Sequence, residues 1–226
     1  MKNFPEHTRV CVATLTLLLG VAGQAEAGLV AYEQPSNFPT GTIFASQNDP
    51  AVFGNFATAY DNFTLGTTTA ILDVHWQGGY FNPPVTNPIT QFTVTFWSDG
   101  GGQPGAALLA QTFPGNAGET FVGFQDGLPI FDYGVTLTEP FTAVGGMTYW
   151  LSIQPTLALP PQWGWHTGTG GDGLFVQDFF GVRNFRSGDL AFGLTVVPEP
   201  STLSLAGVGA LLGLIRYVWQ RRRRVG

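Results

Sequence analysis

The sequence predicts an all-β protein whose main part is an antiparallel β-sandwich of the jelly-roll type. Glycine (31 residues) and proline (16 residues) are frequent, aromatic residues make up 14% of the chain, and charged residues make up only 11%. Apolar and polar residues alternate over many short segments, and no amphipathic helix precedes Leu203. This combination is typical of short strands joined by turns, and it is too apolar for a disordered chain.

Five segments carry the clearest alternation, which places every second side chain on the buried face of a strand. Their inward sets are Leu72, Val74 and Trp76; Phe92, Val94 and Phe96; Phe131, Tyr133, Val135 and Leu137; Met147, Tyr149, Leu151 and Ile153; and Leu190, Phe192, Leu194 and Val196. Further strands are predicted at 60–65, 107–113, 119–124 and 174–179. Eight or nine strands separated by glycine- and proline-rich turns fit two packed sheets.

The chain divides into a signal peptide (1–27), a weakly patterned arm or edge strand (28–57), the β-sandwich (58–196) and a C-terminal segment (197–226). Between positions 28 and 197 there are 12 acidic residues against two arginines, Arg183 and Arg186, which gives a net charge of −10. A domain with this charge repels phosphate groups, which argues against nucleic acid as a partner.

The N-terminus has the three parts of a secretory signal peptide. Lys2 and Arg9 supply the positive region, residues 10–22 supply the apolar region, and Ala25-Glu26-Ala27 fits the cleavage rule, so we expect cleavage between Ala27 and Gly28. The alternative is an uncleaved N-terminal anchor. Because the single cysteine, Cys11, lies in the apolar region, the exported domain contains no disulfide.

The C-terminus has the pattern of a short membrane helix. Residues 203–219 are largely apolar, and as a helix these 17 residues would be about 26 Å long, near the lower limit for a membrane span. The cluster Arg221, Arg222, Arg223 and Arg224 follows and should stay in the cytoplasm. This orientation predicts an exported domain that is first anchored in the inner membrane and lies outside the cytoplasm.

The residues Val197-Pro198-Glu199-Pro200, the apolar helix and the arginine-rich end together resemble the PEP-CTERM sorting signal of Gram-negative bacteria. The resemblance implies that Pro198, Glu199 and Pro200 are recognised by an exosortase, a membrane-embedded processing enzyme. It also implies a final location at the cell surface or outside the cell, in association with exopolysaccharide and biofilm. The alternative is a rigid linker to a permanent anchor, since two prolines keep the backbone extended.

Motifs for catalysis are absent from the sequence: there is no GxSxG, no HExxH and no P-loop. Asp61 and Asp73 are candidates for an acid–base pair, but a domain with 12 carboxylates brings some of them together by chance. Of the two histidines in the domain, His75 alternates with Leu72 and Val74 and should face solvent on its strand. We therefore predict no catalytic residue, no metal site at His75, and no enzyme activity.

Two glycine-rich loops are weak candidates for calcium. Asp99 precedes three glycines, and Gly170-Gly171-Asp172-Gly173 is followed by Asp178. Such loops can direct carboxylate and carbonyl oxygens at a hard cation, although ordinary turn chemistry explains both.

Two tryptophans, Trp163 and Trp165, lie two positions apart and would share one side of an extended chain. An exposed pair of this kind can stack on sugar rings, with Gln162 or Asp172 bonding to hydroxyls; the alternative is that both are buried. Trp97 and Trp150 are likewise predicted opposite the apolar sets of their strands. Two functions remain: a non-enzymatic surface or matrix protein, and a carbohydrate-binding module or weak glycan-active enzyme.

Overall fold

The computed structural model describes residues 29–82 and 88–196, and over these residues the predicted all-β fold of two sheets is confirmed. Fifteen strands are formed, and no helix occurs in the described residues. In chain order the strands are β1 (Leu29–Gln34), β2 (Ile43–Ala45), β3 (Gln47–Asp49), β4 (Gly54–Thr64), β5 (Thr69–Tyr80), β6 (Gln91–Asp99), β7 (Pro104–Pro114), β8 (Thr120–Gln125), β9 (Leu128–Ala143), β10 (Thr148–Thr156), β11 (Trp163–Gly168), β12 (Leu174–Phe179), β13 (Val182–Ser187), β14 (Asp189–Leu190) and β15 (Phe192–Val196).

The first sheet is built around β5, the strand that positions the larger cavity. Its main path runs β1-β15-β5-β11-β14, with β2 paired to β11, β9 paired to β5, and β8 paired to β9. All of these pairs are antiparallel. Along its length β5 changes neighbour, from β15 at Trp76 to β11 at Gly78.

The second sheet runs β13-β12-β4-β3-β10-β6-β7, with a further pairing of β4 to β10. Only the contact of β10 with β3, at Thr156 and Asn48, is parallel. The chain passes repeatedly between the two sheets, so that strands close in sequence often lie in different layers. Sites on this fold are consequently assembled from distant parts of the sequence.

The core between the sheets is rich in aromatic side chains. Phe96 of the second sheet stacks on Phe141 of the first, with ring centroids 4.3 Å apart. Trp76 of the first sheet packs against Phe92 of the second at 5.0 Å. Each large side chain buried in this way contributes about 1.5–3 kcal/mol relative to an exposed position, which lets a domain without disulfides fold by packing alone.

Every segment predicted as a strand lies in or overlaps a strand, and the strands that were missed have physical reasons. All six residues of β11 are buried and all six of β13 are exposed, so neither shows alternation. Residues 29–57, predicted as an arm or edge strand, form β1 at an edge of the first sheet, then β2, β3 and the start of β4. Met147 was predicted to face inward but is 55% exposed, because β10 begins one residue later.

The predictions at the chain ends fall on residues outside the described ranges. They include the signal cleavage at Ala27 and Gly28, the motif Pro198, Glu199 and Pro200, the helix 203–219 and the cluster Arg221, Arg222, Arg223 and Arg224. Among the residues that are described, no helix meets the length and hydropathy needed to cross a bilayer.

Candidate functional site

The concave sites in the described part of the chain include two that lie one on each sheet. The first, which we call the hairpin cleft, has a volume of about 270 Å³ and is lined chiefly by Asn62, Asp99, Thr148, Trp150, Asp172 and Phe185. The second, which we call the β5 cavity, has a volume of about 350 Å³ and is lined chiefly by Gln34, Ser36, His75, Trp76, Gln77 and Asp132.

Asp99 is fixed at the rim of the hairpin cleft by the turn that follows β6. Its carboxylate accepts hydrogen bonds from the backbone N–H groups of Gly101 and Gly102 at 3.0–3.2 Å. Both glycines have positive φ angles, +83° and +81°, a conformation in which side chains are strained. The indole N–H of Trp150 donates to the same carboxylate at 2.9 Å and is the main reason that the pKa of Asp99 is lowered.

Asp172 stands on the other side of the hairpin cleft. Its carboxylate accepts a hydrogen bond from the Asn62 side-chain amide at 2.9 Å and another from the Leu174 backbone N–H at 3.0 Å. The structure thus brings the two glycine-rich loops singled out in the sequence to one cleft. Asp178 is not part of it, because its carboxylate pairs with Arg183 at 3.5 Å.

A small apolar cluster beside this cleft lies outside the main core. Tyr60, Trp150 and Val176 are buried there, and Trp97 packs against them. The guanidinium of Arg183 lies 5.6 Å from the centroid of the Tyr60 ring and donates to the Pro104 carbonyl at 3.0 Å. As predicted, Trp97 and Trp150 therefore lie apart from the main apolar set of their strands.

The β5 cavity is bordered by a chain of hydrogen-bonded polar side chains. Ser36 donates from its hydroxyl to the Gln77 side-chain carbonyl, and the Gln77 amide donates to Asp132 at 3.0 Å. On the other side, the Ser36 hydroxyl lies 3.1 Å from Nδ1 of His166. The chain thereby connects the exposed carboxylate of Asp132 to a fully buried imidazole.

Both ring nitrogens of His166 face oxygen atoms. Nδ1 lies 2.7 Å from the Thr167 carbonyl, and Nε2 lies 2.7 Å from Oε1 of Gln125. The Gln125 amide donates to the Gly41 carbonyl at 2.6 Å, which fixes its oxygen toward the ring. Burial lowers the pKa of His166, with a smaller opposing effect of the hydrogen bond to Thr167. These contacts hold the imidazole between β11 and the end of β8.

Glu119 forms a separate polar group next to Tyr133, a residue that lines the β5 cavity. Glu119 accepts hydrogen bonds from the hydroxyls of Tyr80 and Tyr133 at 2.6 and 2.9 Å. Burial raises the pKa of both tyrosines, so both hydroxyls stay protonated and donate to the carboxylate. Tyr133 also lines the cavity, and Trp163 donates its indole N–H to the Tyr133 hydroxyl at 3.1 Å.

The candidate glycan-binding platform of Trp163 and Trp165 is not formed, and the alternative, burial of both side chains, is the one observed. Both side chains are 0% exposed, and their indole N–H groups donate inside the protein, to Tyr133 and to the Ala191 carbonyl. The physical reason is that β11 is buried along its whole length, with β5 and β2 as neighbours. A spacing of two positions along an extended chain places both side chains on the same side of the strand, but it does not decide whether that side is exposed.

The candidate acid–base pair of Asp61 and Asp73 is also not formed. Asp61 belongs to β4 of the second sheet and is fully buried, where it accepts hydrogen bonds from the backbone N–H groups of Leu190 and Asn62. Asp73 belongs to β5 of the first sheet and accepts hydrogen bonds from the hydroxyls of Thr136 and Thr195. Burial raises the pKa of Asp61 well above its usual range.

His75 lies partly exposed on β5, with Gly134 and Gly193 as its neighbours on the adjoining strands. Its ring occupies the space that a side chain at Gly193 would need. Among the described residues, no three histidine, cysteine, aspartate or glutamate side chains converge as a metal site would require. Sequence reasoning missed Gln34, Ser36 and Gln77, since single polar residues in strands carry no motif.

A match to the family model of the PEP-CTERM protein-sorting motif covers residues 196–224 and confirms the resemblance seen in the sequence. A β-domain followed by this motif defines an exported protein that is transiently anchored in the membrane and sorted there by an exosortase. A second model, Domain of unknown function (DUF7901), matches residues 30–177, more than half of the chain, so the chain belongs to this family. No curated protein and no solved structure matches the chain.

Proposed function

We propose that the protein is a non-enzymatic surface or matrix component that associates with extracellular polysaccharide and biofilm after its sorting signal has been processed. The observation that carries this proposal is the position of the signal. The motif begins at Val196, which is the last residue of β15, and β15 lies inside the first sheet between β1 and β5. Processing beyond this strand would leave all fifteen strands of the described residues in place.

A non-enzymatic role is supported by the way the domain uses its titratable side chains. His166 is buried between Gln125 and Thr167, and Asp61 accepts two backbone hydrogen bonds within the core. His75 lies across Gly193 on the sheet. Of these three groups, His166 is the one beside a hydroxyl, 3.1 Å from that of Ser36, and this hydroxyl donates to the Gln77 side-chain carbonyl instead of to the imidazole. The contact is therefore not that of a base that activates a nucleophile.

The charge of the domain limits the kinds of polysaccharide that it would bind. With a net charge of −10 between positions 28 and 197, the domain repels acidic polymers at moderate ionic strength. A neutral polysaccharide would bind without this electrostatic repulsion. Calcium at Asp99 and Asp172, the weaker alternative to ordinary turn chemistry in these two loops, would let an acidic polymer bind.

The first experiment is mass spectrometry of the C-terminal peptide of protein purified from its native cells. We expect a C-terminus near residues 198–202, and extra mass on this peptide would identify a group attached during processing. An intact chain ending at Gly226 would contradict the processing. As a genetic control, Glu199→Ala should leave the full-length chain in the membrane fraction, whereas Thr202→Ala should not.

Fractionation tests the polysaccharide part separately. We expect the processed protein to sediment with the extracellular polymer and to be released by enzymes that degrade neutral glycans. Recovery of the processed protein entirely in the polymer-free medium would contradict a matrix role while leaving the sorting intact.

The alternative function, a carbohydrate-binding module, loses its first support with the burial of Trp163 and Trp165.

A further inference from the structure

Two turns meet at one end of the second sheet and form an exposed aromatic patch, which we call the phenylalanine tip. It consists of residues 50–53, between β3 and β4, and residues 179–182, where β12 turns into β13. The ring centroid of Phe180 lies 5.9 Å from that of Phe53 and 5.6 Å from that of the buried Phe56, so the two turns pack together. The side chains of the tip that are between 39% and 71% exposed are Val52, Phe53, Phe179, Phe180 and Val182.

Phe180 occupies a turn position that a large side chain normally avoids. Phe180 and Gly181 form the two-residue turn that joins β12 to β13, with φ angles of +51° and +78°. The turn between β8 and β9 has nearly the same φ angles, +50° and +79°, but its residues are Asp126 and Gly127, which this turn type favours. The chain therefore keeps a bulky ring in a strained position at its surface, and strain of this kind is concentrated at functional sites.

The backbone of the phenylalanine tip is hydrogen-bonded within the protein. The carboxylate of Asp49, which is fully buried, accepts from the N–H groups of Ala51 and Phe53 at 2.9 and 3.2 Å. The N–H of Phe180 donates to the Phe56 carbonyl at 2.7 Å. None of the residues of the tip has a polar side chain. Lipid hydrocarbon offers no hydrogen-bond partner, so a surface that enters it must have its backbone groups satisfied internally, as these are.

The charges of the domain also favour a lipid surface at this end. Its two arginines, Arg183 and Arg186, lie on β13, which begins at the tip. Arg183 pairs with Asp178 at 3.5 Å, whereas Arg186 forms no ion pair within the described residues. The exposed carboxylates of Asp99 and Asp172 line the hairpin cleft, beyond the far end of β12. Because lipid phosphates attract cations, a bilayer reached through the tip would meet the arginines and not these acidic loops.

The C-terminal segment leaves the domain at the opposite end. The last strand, β15, ends at Val196, and its residue Thr195 pairs with Asp73 near the start of β5. The start of β5 follows the end of β4 along the chain, whereas the phenylalanine tip lies at the start of β4. The tip is therefore separate from the part of the chain that anchors the protein transiently in the membrane.

We propose that the phenylalanine tip inserts into the surface of a phospholipid bilayer and gives the domain a second, reversible membrane contact. Exposed apolar patches of this kind mark sites of contact with a membrane or another protein. A protein partner is disfavoured, because specific interfaces include hydrogen bonds and the tip offers no polar side chain to make them. The contact goes beyond the proposed association with polysaccharide, and it remains with the domain after the C-terminal segment has been removed.

The test measures lipid contact in the full chain, reconstituted into phosphatidylcholine vesicles. A nitrobenzoxadiazole probe is attached through Val52→Cys, with Cys11→Ser removing the natural cysteine. Spin-labelled phosphatidylcholine, which quenches the probe on contact, is placed in the same vesicles or in separately added ones, so that a bilayer at either end of the domain is sampled. We expect a shift of the emission to shorter wavelength, with quenching. A probe at Leu108→Cys, half exposed on the other edge strand of the second sheet, should stay in water.

A matched pair of variants separates lipid contact from folding. Phe180→Asn removes the ring but suits the turn, so relief of strain should offset the lost ring contacts and leave the unfolding transition nearly unchanged. The equilibrium between the inserted and the free tip should shift about tenfold toward the free form, as expected for one exposed phenylalanine. Asp126→Asn makes the corresponding change in the turn between β8 and β9 and should leave the quenching unchanged.

The proposal is overturned if the probe at position 52 reports water in every sample, if position 108 is quenched equally, or if Phe180→Asn leaves the quenching intact. A wavelength shift without quenching by either set of vesicles would mean that a second copy of the chain covers the tip, which also overturns it. None of these results bears on the processing of the C-terminus, which is judged from its mass.

Discussion

The hairpin cleft and the β5 cavity are of similar size, but they differ in how their polar atoms are satisfied. In the hairpin cleft, the carboxylates of Asp99 and Asp172 already accept hydrogen bonds from the protein. The β5 cavity has two lining residues, Gln34 and Trp76, with unpaired buried atoms. The difference teaches that conspicuous acidic loops can be self-contained turns, whereas the unpaired polar atoms near the β5 cavity lie inside the packed protein, where the cavity does not expose them.

The largest expected effect concerns the tryptophan at each site. Trp76 packs in the main core against Phe92 and Tyr133, so Trp76→Ala should lower the free energy of unfolding by about 3–5 kcal/mol. Trp150 belongs to the small cluster outside that core, and Trp150→Ala should cost about 1–3 kcal/mol. Urea unfolding followed by circular dichroism measures both. Equal losses would mean that the two sites contribute equally to stability.

The next effect concerns a buried titratable group near each site, Asp61 behind the hairpin cleft and His166 beside the β5 cavity. Burial raises the pKa of Asp61 in the folded protein. The stability that this shift contributes is therefore complete below pH 3.8, the ordinary pKa, and is lost as the pH rises through the pKa of the folded protein. Burial lowers the pKa of His166 in the folded protein. The stability that this shift contributes is therefore complete above pH 6.5, the ordinary pKa, and is lost as the pH falls through the pKa of the folded protein.

Two substitutions separate these contributions. Asp61→Asn should remove the loss of stability with rising pH, and His166→Gln should remove the loss of stability below about pH 6.5. Each loss amounts to about 1.4 kcal/mol for every unit by which the pKa is shifted. The measurement is the slope of the unfolding free energy against pH, since each variant also changes local hydrogen bonds. Unchanged slopes would show that these groups titrate alike in the folded and unfolded chains.

The same comparison explains what the sequence can predict. The strands, the turn after Asp99 and the sorting motif depend on residues close together in the chain, and local patterns predicted them. The β5 cavity joins Ser36 to His166 across 130 positions, and no local pattern marks that contact. The burial of Trp163 and Trp165 likewise depends on neighbours from β5 and β2, so spacing alone left open whether the pair is exposed or buried.

The smallest effect tests whether the hairpin cleft is as self-contained as its hydrogen bonds indicate. Trp150→Phe removes the main cause of the lowered Asp99 pKa, which should rise toward 3.8 in a carboxyl NMR titration. Trp97→Phe is the matched control, because that indole donates to Ser152 and should leave the Asp99 pKa unchanged. The stability linked to Asp99 is present above 3.8 and is lost as pH falls through the folded value, so Trp150→Phe should reduce acid sensitivity slightly. An unchanged Asp99 pKa in Trp150→Phe would mean that Gly101 and Gly102 alone hold the carboxylate, and the turn, not β10, would then position this side of the cleft.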